Sequence, residues 1–243
     1  GIVAGYLVLA AFLLAGGLVA ALLLPDPPAP ASTEAARVRR SLAERTAALR
    51  DRDFAWLLAG RLVVNVGNAL GTGLLLFFLL YGLGRDAATA EDELLILIVV
   101  YTLFVVTASI LSGRFSDHTG RRVMPVVVAA FVQAAASLLL AAAPSMTTAM
   151  VSAALLGTGY GAYMSVGLAL ATDILPFADD HARDLGFVNV AASLGQLLGP
   201  LIGAALVALA GGFWLLFAVG GVLSILGGAM TLALRSREPS AVR

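Results

Sequence analysis

The sequence contains no cysteine and no lysine, only two histidines, and few charges for its length: 15 arginines face 15 aspartates and glutamates in 243 residues. Without cysteine there are no disulfides, no thiol chemistry and no thiolate metal sites. Without lysine there is no amine to carry a retinal Schiff base. His118 and His181 stand apart in polar segments with no metal-ligand spacing around them, so no metal site is expected. An enzyme would need a nucleophile, a base or metal ligands, and none converge here. We therefore expect neither enzymatic activity nor a cofactor, and no nucleic-acid partner.

The charges that exist are gathered into short patches. Between them, residues 1–24, 62–84, 94–113, 123–172 and 185–234 carry none, and 60% of the whole chain is apolar. A bilayer core about 30 Å thick needs roughly 20 helical residues, so the first three stretches can each cross once and the last two can each cross twice. The long ones have turn signals near their middles, Ala143-Pro144-Ser145 and Gly211-Gly212, the latter followed by Trp214, a residue favoured at membrane interfaces. The runs of Leu, Ala and Val are continuous, not alternating, which excludes membrane strands. The fold class is all-α, with seven transmembrane helices.

Arginine placement orients them. Alternating the loops between two sides collects Arg37, Arg39, Arg40, Arg45, Arg50, Arg52, Arg114, Arg121, Arg122, Arg183, Arg235, Arg237 and Arg243 on one side and leaves Arg85 on the other. The positive-inside rule makes the first side cytoplasmic, with the C-terminus inside and the plasma membrane as the expected location. Residues 25–53 form a cytoplasmic linker that opens on a proline-rich run unable to continue a helix. After Ser32 or Thr33 its apolar residues Ala35, Val38, Leu42 and Leu49 recur at helical spacing, predicting an amphipathic helix on the membrane surface. Asp53 is the expected cap of the second span. One helix (1–24) therefore precedes the linker, six (54–234) follow it, and 235–243 are a cytoplasmic tail. Gly1 opens directly on an apolar run with no basic flank, so a preceding segment is expected.

Between the third and fourth spans stands Gly113-Arg114-Phe115-Ser116-Asp117-His118-Thr119-Gly120-Arg121-Arg122. Gly113 permits close helix approach, Gly120 suits a turn with positive φ, Asp117 can accept hydrogen bonds from a helix N-terminus, and Arg121 and Arg122 can pair with carboxylates or lipid phosphate. Such a loop can serve as a breakable cytoplasmic latch. The pattern resembles the signature loop of the major facilitator superfamily, with His118 where that family prefers Arg or Lys. A second segment, Thr172-Asp173-Ile174-Leu175-Pro176 through Ala182-Arg183-Asp184-Leu185-Gly186-Phe187-Val188-Asn189, is similar to the corresponding loop of sucrose-transporter-like and glycoside–cation symporter branches. Asp173 is placed there to pair with Arg121, Arg122 or Arg183. The resemblance implies two six-helix halves working by alternating access. Residues 1–24 would be the sixth of twelve helices and 54–234 the C-terminal half, with the N-terminal half as its partner.

Polar residues inside spans usually face a cavity or another helix. Arg61, Asn65, Asn68 and Thr72 share one face of the second span, where Gly67, Gly71 and Gly73 could loosen the helix. An arginine at the membrane centre costs about 2.5–3.5 kcal/mol, but near an interface it can snorkel, so Arg61 stands open between site and anchor. Asn189, Ser193 and Gln196 form a matching face on the sixth span, and Tyr160 and Met164 project from the fifth. Amides, hydroxyls and rings suit a small polyhydroxylated solute such as a sugar or glycoside, with drug or metabolite efflux as the alternative. Gln133 is isolated and reads as structural. No Asp or Glu lies within the uncharged stretches, so a proton- or sodium-gradient coupling, if present, would be carried elsewhere. A seven-helix receptor fits the short hairpins and the latch loop poorly. Thr158-Gly159-Tyr160-Gly161 lacks the valine of a channel filter, and Gly157-x-x-x-Gly161 is better read as a helix-packing site.

Overall fold

The computed structural model describes residues 2–23, 47–175 and 181–234. The described residues form seven helices long and apolar enough to cross a membrane: α1 (Ile2–Leu23), α2 (Arg52–Gly73), α3 (Ala87–Thr119), α4 (Val123–Ala142), α5 (Met146–Ile174), α6 (His181–Ala210) and α7 (Trp214–Leu232). The chain divides into two compact units, Gly1–Arg45 and Thr46–Arg243. In the first, α1 is uniformly apolar, with a mean hydropathy of 2.5 over Tyr6–Leu23. Most of the expected amphipathic linker helix, the proline-rich run, residues 176–180 and the tail lie outside the described residues. The last turn before α2, Ala47–Arg50, is a short 3-10 helix.

Local chemistry sets the helix ends. Asp51, not Asp53, caps α2 by accepting a hydrogen bond from the Phe54 amide at 3.0 Å. Both aspartates flank Arg52, and only the helix phase distinguishes them; Asp53 lies in the first turn, where its charge still favours the positive helix end. Asp86 caps α3 by accepting from the Thr89 amide and hydroxyl, and these bonds, the hydroxyl's first, hold its carboxyl below the ordinary aspartate range. Ser145 and Thr148 form a reciprocal capping box at the start of α5. Gly120 ends α3 at φ +66°, a left-handed conformation that costs glycine nothing.

The second unit packs as a bundle in which α5 lies between α3 and α4, α7 between α4 and α2, and α6 against α2. Two apolar clusters divide its length. One, at the end bearing the Asp117–Arg122 turn, gathers Phe54, Leu57, Val126, Leu170, Ile174, Val188 and Leu234. The other holds Phe78, Leu79, Ala90, Leu140, Ala149, Leu216 and Phe217. There the Phe78 ring meets Phe213 and Phe217 edge-on, with centroids 5.6 and 5.0 Å away.

Glycines set the closeness of the crossings, because lipid offers no hydrophobic gain for helix association and packing must supply it. On α5, a Cβ at Gly157 would lie 2.4 Å from the Tyr101 carbonyl oxygen and one at Gly161 would lie 2.2 Å from that of Val105. The Gly161 carbonyl also accepts a hydrogen bond from Ser109 at 3.0 Å. On α6, Gly195 and Gly199 take the same part against Asn65 and Ala69 of α2. Gly67 does not loosen α2 as its position suggested. Its bare face receives α7, with the Gly220 carbonyl 2.8 Å from where a Cβ would stand, and the helix runs unbroken through Gly67 and Gly71. The interruption comes later, at Leu74, and is followed by a wide π-type turn, Phe78–Gly82.

Candidate functional site

Halfway along the bundle, α2, α3, α5 and α6 bring polar side chains together. At 1.5 Å per residue Arg61 sits roughly 14 Å into α2, and the residue is 3% exposed. It is therefore not a snorkelling anchor. Its terminal nitrogen donates weakly to the Met164 sulfur at 3.7 Å, and Tyr160 and Tyr163 of α5 lie within its electrostatic reach. Space for it is made by Gly167, where a Cβ would come within 3.5 Å of the guanidinium.

The other candidates divide into groups. Asn65, fully buried against Gly195, donates to the Arg61 carbonyl at 2.8 Å. Asn68 lies near the Tyr101 hydroxyl, and the Tyr101 ring stacks near Tyr160 with centroids 6.3 Å apart. Gln196 donates to the Tyr160 hydroxyl at 3.3 Å. These side chains line a polar path from Asn68 past Tyr101 and Tyr160 to Gln196, with Arg61 and Met164 beside it. Asn189 and Ser193 are exposed on α6 and, among the described residues, make no hydrogen bond with this path. Thr72 bonds the Asn68 carbonyl at 3.0 Å. It lines a cavity of about 400 Å³ with Thr102, Ser152, Leu156 and Tyr101, the last shared with the path.

Sequence reasoning missed Tyr101. Its only signal was a phenol in an uncharged span that also holds Thr102, Phe104, Thr107 and Ser109. It also missed a second feature: Pro200, inside α6, has no N–H to give to the carbonyl of Gln196, four residues back. Gln133 is fully buried with its Cγ packed against Gly159, on α4 and away from the path.

At the arginine-rich end, the Asp117–Arg122 turn meets the end of α5. Arg122 is the hub: its Nε lies 2.5 Å from Asp173 and a terminal nitrogen 3.4 Å from Asp117. Asp117 thus meets a side chain, not the helix N-terminus expected for it. Buried Ser116 donates to the Arg121 carbonyl at 3.0 Å and fixes the turn. Arg121 itself is exposed, and Gly113 lies against Ser165, whose hydroxyl would be 2.9 Å from a Cβ there. Of the three arginines that Asp173 could have met, helix phase selects Arg122. Arg183 pairs instead with its neighbour Asp184, a fully buried carboxylate, at 3.0 Å. All these residues belong to one unit, so the network ties the α3–α4 turn to α5.

The family model described as Major Facilitator Superfamily matches residues 61–243. The chain is 36% identical over 112 residues to a triacylglyceride transporter of Mycolicibacterium smegmatis, covering 46% of this chain and 20% of that protein. It is 28% identical over 148 residues to the multidrug resistance protein Stp of Mycobacterium tuberculosis, covering 57% of this chain and 27% of that one. It thus spans about a quarter or less of the length of these curated relatives. A solved structure of the Escherichia coli fucose:proton symporter matches with a TM-score of 0.73 at 15% identity, covering 96% of this chain and 55% of that one. At that identity the likeness is one of fold.

Proposed function

The chain belongs to the major facilitator superfamily, a family of multi-pass membrane transporters, and from that premise we propose that it is part of a secondary transporter moving a small polar solute by alternating access. Residues 54–234 act as one six-helix half, and 1–24 as the last helix of the half before it, with 25–53 linking them on the cytoplasmic face. The carrying observation is the polar path lined by Asn68, Tyr101, Tyr160 and Gln196 at mid-membrane depth, in spans that are otherwise mostly apolar. Polar groups at that depth are costly and are retained where they face a cavity. Amides and phenols offer the hydrogen bonds and ring faces that a sugar or glycoside uses.

A second reading, efflux of a drug or metabolite, is favoured by the names of two relatives, a multidrug resistance protein and a triacylglyceride transporter. The large apolar share of the cavity lining between α2, α3 and α5 suits it. Neither reading requires a coupling carboxylate here. A transporter coupled to a proton or sodium gradient would carry that group in another segment, and an uncoupled one would need none.

Flux into proteoliposomes holding the complete protein separates the readings. The proposal expects saturable uptake of members of a sugar and glycoside panel, reduced at least about tenfold by Tyr160→Phe combined with Gln196→Ala. Saturable movement of cationic dyes with no sugar flux would replace the first reading with the second, and no flux of either would remove both.

A further inference from the structure

Arg61 is a buried cation that this unit leaves unanswered. Among the described residues it takes part in no ion pair, and its Nε has no hydrogen-bond partner. Its one side-chain contact of hydrogen-bond type is a thioether sulfur, a weak acceptor. No acidic residue lies in the uncharged stretches around it. The guanidinium is the side chain that most persistently holds its charge, so neutralisation by proton loss is not open to it. Taking such a charge out of water costs several kcal/mol unless an anion or a full set of acceptors meets it. Close by, the Asn65 carboxamide oxygen and the Asn68 amide nitrogen are also buried without partners. Three unsatisfied polar groups on one face of α2 mark a place built to be completed.

We infer that Arg61 is the anion-recognising group of the solute site, and that the solute carries a carboxylate or comparable anionic group. This deepens the transporter reading and rests on it. The guanidinium is covered by Met164, an unbranched side chain that repacks readily, and by half-buried Tyr160. Displacement of the Met164 thioether exposes two parallel N–H donors, the fork that matches a carboxylate bidentately. Gln196 and the Tyr160 hydroxyl then lie at the exposed edge beside it for the uncharged part of the solute. Arg61 thereby selects among solutes that the uncharged path alone would treat alike.

Matched probes that differ only in charge test this. Thermal stabilisation of the complete protein in detergent is titrated with p-nitrophenyl glucuronide against p-nitrophenyl glucoside, and with 4-nitrobenzoate against 4-nitrobenzamide. The expected result is at least about tenfold tighter apparent binding of the charged member in each pair. Arg61→Gln brings each ratio to within about twofold, while Arg61→Lys keeps a reduced preference. Met164→Leu, similar in volume but without the sulfur acceptor, retains the preference and serves if the glutamine variant does not fold. Equal response to both members of each pair, or a preference unchanged in a folded Arg61→Gln, would show that the Arg61 charge is answered within the protein and overturn the inference. Binding of nitrobenzoate over its amide with no response to either glycoside would instead remove the polyhydroxylated-solute reading and leave the Arg61 assignment standing.

Discussion

Replacing Gly161 with alanine is expected to lower the melting temperature of the detergent-solubilised protein by roughly 6–12 °C, the shift expected when about 3 kcal/mol is lost by a domain of this size. The added Cβ would stand 2.2 Å from the Val105 carbonyl oxygen and 2.9 Å from the Val105 Cα. Those are backbone atoms of a regular helix, with no rotamer to yield, so α3 and α5 must separate. Overpacking usually costs about 1–3 kcal/mol, and a clash with rigid backbone belongs at the upper end. Separation would also pull the Ser109 hydroxyl from the Gly161 carbonyl and draw Tyr101 away from Tyr160. Gly157→Ala, against the Tyr101 carbonyl, should behave alike. Gly186 is the control: it is helical and a Cβ there meets nothing within 4 Å, so Gly186→Ala should stabilise by up to about 1 kcal/mol. Similar melting temperatures for Gly161→Ala and Gly186→Ala would contradict the close crossing.

The second large effect belongs to the Arg122 hub. Arg122 is about a quarter exposed and Asp173 about half exposed, and ion pairs so placed contribute on the order of 0–1 kcal/mol each. Bonds of that strength can bias one conformation and still break once per cycle. Arg122→Gln releases both carboxylates, and a change of one or two kcal/mol alters a two-state ratio by a factor of about 5–30. Initial uptake rates at matched protein levels in proteoliposomes should fall in the order Arg122→Gln, then Asp173→Asn, then Asp117→Asn. Asp117, 3.4 Å from its partner and 72% exposed, should matter least. A larger loss for Asp117→Asn than for Asp173→Asn would place the latch elsewhere.

The membrane fold was legible because the bilayer imposes a length on every uncharged stretch, and proline and glycine mark the hairpins within them. The family resemblance was legible for the same kind of reason: a turn with positive φ at Gly120 and a close approach at Gly113 demand particular residues at particular spacings. What remained hidden depends on helix rotation and neighbours. Asp51 and Asp53 differ by two residues, or 200° of helix, and composition does not say which reaches the Phe54 amide. Gly67 looked like a weak point in α2 because a glycine in isolation lowers helix stability; against α7 it is a contact surface. Tyr101 could not be joined to Tyr160 before α3 was known to lie beside α5. Arg61 had two physical outcomes, snorkelling or burial, and the bundle around Met164 and Gly167 decides for burial.

Alternating access of the face formed by Asn189, Ser193 and Gln196 is the central claim, and these 243 residues contribute no background thiol to its measurement. In the complete protein, with any cysteine outside these residues replaced by serine, Ser193→Cys is labelled with a membrane-impermeant thiol reagent added to one side of sealed vesicles at a time, with Arg122 intact and with Arg122→Gln. The account predicts that breaking the latch raises labelling from the cytoplasmic side at least about fivefold and lowers it from the other side. Equal labelling from both sides, unchanged by Arg122→Gln, would contradict it.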